Sequence, residues 1–145
     1  MIKKMLTLDT ARIAVKAMID KALAMPGRPI AIAVTDQHGD LIAFACQSAA
    51  NPALARRNAL KKAFTCASMR ADAETLAAGF SSQGGREQNF GNPERMMVSG
   101  GGLVIKGPNN EILGGIGVSG RPKADEDEAI AVAGRDAIAS LLATN

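Results

Sequence analysis

The chain has 145 residues, 17 Lys+Arg against 14 Asp+Glu, and a net charge of +3. It contains no Trp, no Tyr, four Phe, two Cys and a single His, His38. That scarcity excludes an aromatic platform for nucleic-acid bases and a zinc centre of three or four Cys or His, and it leaves a Ser-His-Asp triad only His38.

The length suits one domain over residues 1–145. No apolar run reaches membrane-spanning length, and the basic start Met1–Thr7 has no apolar stretch of the secretory kind. A cytoplasmic protein with no membrane and no nucleic-acid partner is expected. In that reducing compartment Cys46 and Cys66, which form no CxxC or metal spacing, are expected as buried thiols. Charge is uneven: residues 1–72 hold 11 Lys+Arg and 5 Asp+Glu, residues 73–145 hold 6 and 9.

The first element is an amphipathic helix. Ala11, Ala14, Val15, Met18, Ile19, Ala22 and Leu23 recur at helical spacing, Thr7 can cap it, and Pro26-Gly27 ends it. Ile30–Val34 alternates large and small residues as a strand does. Asp36-Gln37-His38-Gly39-Asp40 carries turn chemistry, with Gly39 free to take a positive φ, and Leu41–Cys46 is the partner strand of a hairpin. Asn51-Pro52 then starts a second helix. This helix aligns Ala55, Ala59, Ala63 and Ala67 for close packing, with Arg56, Arg57, Lys61 and Lys62 covering the rest. A short helix from about Asp72 stops at Gly79. Residues 80–98 show no apolar period and predict a long loop of the kind usually tied to function. The strands Leu103–Lys106 and Glu111–Ser119 flank a Gly107–Asn110 turn, with one more short strand predicted near Met96–Val98. The last helix opens on Asp125–Glu128, acid placed where the dipole favours it. Tight turns between successive strands predict an antiparallel sheet, and helices in separate blocks predict the α+β class.

Gly115-Ile116-Gly117-Val118-Ser119-Gly120 matches G-x-G-x-x-G in letters only. A dinucleotide fingerprint follows a strand and opens a helix, whereas these glycines lie inside a strand, where Gly marks a bulge or a close backbone approach. Gly100, Gly101 and Gly102 can present backbone amides to an anion or form an ordinary turn. Lys61, Lys62, Arg70, Arg86 and Arg95 are candidate anion binders, Arg through its planar fork. Two chemistries remain open. In a binding protein, Arg70, Arg86, Phe90, Arg95 and Gly100–Gly102 would hold a small anionic ligand. In an enzyme acting on a small organic acid, a hydrolase or isomerase, Lys62, Arg70 or Arg86 would hold the carboxylate, Glu87 or Asp40 would move the proton, and the Gly100–Gly102 amides would stabilise an oxyanion. Within one chain His38 and Cys46 are not expected to pair as a nucleophile dyad, because six strand residues from Asp40 to Cys46 span about 20 Å; the spacing leaves a His38–Cys66 pair open. Met18 reads as core and Met96-Met97 as a possible pocket wall.

Several segments together resemble the GlcG/HbpS-like family, found also as the C-terminal part of PduO-type proteins. They are Leu6-Thr7-Leu8 before a helix, Ala31–Asp36 with its Gly39 turn, Asn58–Thr65, Gly100–Gly102, Gly114–Gly120 and Asp127-Glu128. The resemblance covers nearly the whole chain. It implies a profilin-like three-layer α/β/α fold around a central antiparallel sheet of about five strands, and homo-oligomers (dimer, tetramer or larger). Haem is the cofactor it implies, and organic-acid catabolism a setting. Lys62 and Asp127-Glu128 match the family pattern. Many relatives carry His directly after the turn glycine, where this chain has Asp40, with His38 on the other side of Gly39.

Overall fold

The computed structural model describes residues 5–82 and 92–143. Its elements run α1 (Leu8–Ala24), β1 (Ala31–Asp36), β2 (Leu41–Cys46), α2 (Arg57–Met69), α3 (Ala73–Ser82), β3 (Gly102–Lys106), β4 (Ile112–Ser119) and α4 (Ala124–Leu142). A π-helical turn, Pro52–Arg56, leads into α2. The four strands form one antiparallel sheet in the order β2-β1-β4-β3. The α+β class and the antiparallel sheet are as expected. The described residues contain four strands rather than about five, because residues 96–98 form no ladder.

The alternation of large and small residues in β1 sets the layers. Ile30, Ile32 and Val34 face the same way as Leu103, Ile105, Leu113, Ile116 and Val118, and pack with Ala11, Ala14 and Met18 of α1 and with Ile130 and Ile138 of α4. Burial of these aliphatic side chains supplies the main stabilisation. Ala31 and Ala33 point to the opposite face and meet Ala55, Ala59 and Ala63. The sheet face under α2 is therefore made of small residues, and the helix lies directly on it. A Cβ at Gly117 would collide with the Ala59 carbonyl, and one at Gly115 with the Ala63 carbonyl. The glycines of the G-x-G run are thus accounted for by helix-on-sheet contact.

Local signals explain the element ends. Thr7 Oγ1 accepts the Thr10 N–H at the start of α1. Asn51 Oδ1 accepts the N–H groups of Ala53 and Leu54, with Pro52 in the first turn. Asp125, Glu126 and Asp127 lie in the first turn of α4.

Three expectations are corrected. α3 continues through Gly79 to Ser82, so Phe80 is helical; nothing approaches Gly79 closely, and a helix-compatible Gly need not end a helix. Leu23 is exposed, because it falls off the stripe that α1 turns to the sheet. Cys46 is exposed at the end of β2, an edge strand, whereas Cys66 is buried as expected.

Candidate functional site

The hairpin tip, the outer side of α2 and the turn at residues 92–95 enclose a cavity of about 710 Å³ lined by Thr35, Gly39, Asp40, Leu41, Arg57, Leu60, Lys61, Phe64, Glu94 and Arg95. Each wall has a local cause. Asp36 Oδ1 accepts the backbone N–H groups of His38 (2.8 Å) and Asp40 (3.1 Å), and its carbonyl accepts the Gly39 N–H (3.1 Å). This Asx-type turn fixes the hairpin tip. Gly39 has φ +83°, and a Cβ there would sit 2.6 Å from the Phe64 ring. Glycine both permits the turn and lets the ring approach it. In the adjacent register, pairing jumps from Val34↔Ala43 to Thr35↔Leu41, a bulge in β2 next to the cavity.

The helix contributes two parallel pairs at i,i+4 spacing: cationic Arg57 and Lys61, apolar Leu60 and Phe64. The third wall is tied to the same helix. The Met97 N–H donates to Thr65 Oγ1 (2.8 Å), and Asn92 accepts from Arg95 and Met96. The Arg95 guanidinium stacks 4.0 Å above the Phe64 ring centre, a contact that orients the planar fork and leaves its edge donors open. Arg57, Lys61 and Arg95 have no salt-bridge partner among the described residues. Asp40 and Glu94 line the same cavity, so three cations face two carboxylates across apolar Leu41, Leu60 and Phe64. This arrangement suits an organic anion with an apolar body.

Lys62, one residue from Lys61, points the other way. Its side chain is 4% exposed, and Nζ donates to the Val118 carbonyl (2.9 Å) and to Asp127 Oδ2 (3.3 Å). Asp127, also 4% exposed, accepts the Arg121 N–H through Oδ1 (3.1 Å). Burial lowers the Lys62 pKa and raises that of Asp127, each opposed by the charge of its partner. The expectation that Lys62 covers a solvated helix face is corrected: the pair crosses from α2 to the start of α4 and joins them through the end of β4. Arg121 extends this tie to α1, donating from Nη2 to the Ala22 carbonyl (3.0 Å).

The glycine loop belongs to that same region. The Gly101 N–H donates to Glu128 Oε1 (3.0 Å), its carbonyl accepts the Val118 N–H (2.9 Å), and the Gly102 N–H turns back to Ser99. One amide of the loop thus serves the chain's own carboxylate. Gly100 lines a separate recess with Ser99, Asp125 and Glu128. Arg70 is the left-handed C-cap of α2 and exposed (φ 63°), outside the cavity lining. Of the sequence candidates, Asp40 and Arg95 come together in the cavity, with Lys61 between them on α2. Arg86, Glu87 and Phe90 lie outside the described residues. Arg57, Leu60, Phe64 and Glu94 also line the cavity and are not among the sequence candidates. The paired i,i+4 spacings on α2 were the available signal.

Among the described residues no group of three His, Cys, Asp or Glu side chains could hold a metal ion. Proteins hold haem iron through His, Cys, Met or Tyr, and none of these lines the cavity. Its apolar and cationic walls match the faces and carboxylates of such a ring, but its donors do not match the iron. No described helix is long and apolar enough to cross a membrane.

A family model described as haem-degrading protein HbpS-like matches residues 6–136. A crystal structure of a double mutant of HbpS from Streptomyces reticuli is similar at 29% identity and a TM-score of 0.80, over 94% of this chain and 88% of that one. The fold is shared with a PduOC:haem complex at 21% identity and a TM-score of 0.80, covering 93% of this chain and 96% of that one. It is shared also with the ORFY protein of Klebsiella pneumoniae at 21% identity and a TM-score of 0.80, over 94% and 93%. Among curated proteins, none matches the chain.

Proposed function

The chain belongs to the HbpS-like family, and from that premise and the shape of its cavity we propose that it is a small-molecule-binding protein. It takes a flat organic anion, haem or a small organic carboxylate, between the β1–β2 hairpin, α2 and the 92–95 turn. The observation that carries this reading is the set of three cations, Arg57, Lys61 and Arg95, without ion partners among the described residues around one apolar floor. Carboxylates of the ligand accept from these donors, and its body rests on Leu41, Leu60 and Phe64. Arg95 is held in place by its stack on Phe64 and suits a two-point contact. The haem bound by the PduOC relative supports haem as one ligand. Titration with haem and with benzoate, each followed calorimetrically, tests the reading. Saturable binding of either supports it, and no binding of both refutes it.

A second reading, an enzyme of organic-acid breakdown, is favoured by Asp40 and Glu94 in the same cavity. A carboxylate beside a bound acid can take or return a proton. Lys62 has no place in that chemistry, because it is buried, lies outside the cavity lining and donates to Asp127 and Val118. The proposed setting is the cytoplasm. The proposed state is a homo-oligomer, for which exposed Phe44 and Leu54 supply apolar contact area.

A further inference from the structure

Resting on that reading of the cavity, we infer that it recognises a tetrapyrrole by its edge carboxylates and apolar faces and not by its central metal, so that an iron-free ring fits as well as haem. The basis is where the chain's possible iron donors sit. Tyr is absent, residues 83–91 contain no His, Cys or Met, and none of the described Met residues lines the cavity. Cys66 is buried under β3, where a Cβ on Gly102 would lie 2.9 Å from its Sγ. Cys46 stands at the far end of β2 from Asp40, about 20 Å of strand away. Met97 is held by its backbone to Thr65, and neither it nor Met96 lines the cavity. His38 is exposed on the hairpin tip, with its backbone tied to Asp36, and it too lies outside the lining. The lining therefore offers iron only oxygen donors, the carboxylates of Asp40 and Glu94 and the Thr35 hydroxyl, and the Lys61 amine, while offering ring carboxylates three cations.

When iron makes no bond to the protein, removing it leaves the binding contacts unchanged. Arg57 and Lys61 lie one helical turn apart on α2, and Arg95 approaches from the opposite wall. Two carboxylates on one edge of a ring can thus be met from two sides, with the ring on Leu60 and Phe64.

The test is parallel titration of the full chain with haem, with protoporphyrin IX and with benzoate, each on the unaltered protein, on His38→Ala and on Lys61→Ala. The expected result is that haem and protoporphyrin bind within about threefold of each other, since no iron–donor bond separates them. The haem absorption band is expected to be unchanged by His38→Ala, and Lys61→Ala is expected to weaken both rings by the same factor. A preference for haem above about tenfold, or a haem band shifted by His38→Ala, overturns the inference and leaves the cavity as the binding site. Binding of benzoate but of neither ring also overturns the inference alone. Binding of none of the three overturns the cavity reading with it.

Discussion

Lys62→Met is the most informative single change, because it separates a structural role for Lys62 from a role in ligand chemistry. The lysine and Asp127 are both 4% exposed and 3.3 Å apart. Methionine retains most of the volume and removes the charge, so the main effect is an uncompensated carboxylate left in the interior. Breaking a buried pair in this way costs about 3–5 kcal/mol. That is a large share of the roughly 5–15 kcal/mol that holds a domain folded, and in a chain of this size it lowers the melting temperature by about 10 °C. The loss also depends on pH in a definite direction. Burial already holds the Asp127 carboxyl above its ordinary value of 3.8 with Lys62 beside it, and removing Lys62 raises it further. Folded variant then holds a proton that the unfolded chain releases, so its stability rises as pH falls from neutrality through that raised value, and the gap to the unaltered protein narrows. Urea unfolding at several pH values, followed by circular dichroism, measures both effects. A loss below about 1 kcal/mol, together with abolished ligand binding, would refute the structural assignment of Lys62.

Gly117→Ala is expected to push α2 off the sheet, since its Cβ meets the Ala59 carbonyl; the urea midpoint should report a loss of about 1–3 kcal/mol or more. A thiol-reactive dye should label Cys46 quickly in the native state and Cys66 only on unfolding, because burial pushes the Cys66 thiol up to about 12. Equal labelling rates would contradict the packing of α2. Thr65→Val removes the acceptor of the Met97 N–H and should weaken ligand binding more than it lowers the urea midpoint, as calorimetry and unfolding together would show.

The layers of the fold could be read from the sequence because each signal was local and repeated. The Ala55–Ala59–Ala63–Ala67 line, the large–small alternation of residues 30–34 and the Asn51-Pro52 cap each specify a conformation or a face without knowledge of the partner. The site was less legible for a physical reason. Lys61 and Lys62 are neighbours of the same residue type, and only the sheet and α4 decide that one faces the cavity and the other is buried against Asp127. Asp40 and Arg95 were recognisable as candidates, but Phe64 reads from sequence as a helix side chain beside the alanine stripe. Its role as the base of the Arg95 stack depends on a turn far along the chain. Asp72 is a similar case. Sequence marked it only as a helix start, whereas in the fold it accepts from Arg135 (2.8 Å) and from the Val104 N–H (2.9 Å), closing the outer edge of β3.

The hairpin–α2 cavity is assigned as the anion site, and calorimetric titration of benzoate and haem into Lys61→Ala/Arg95→Ala beside the unaltered protein checks that assignment. Each lost contact to a charged group removes about 1.5–3 kcal/mol, so affinity for both ligands should fall by about a hundredfold or more while the melting temperature stays put. Unchanged affinity in the double variant would place the anion site elsewhere on the protein.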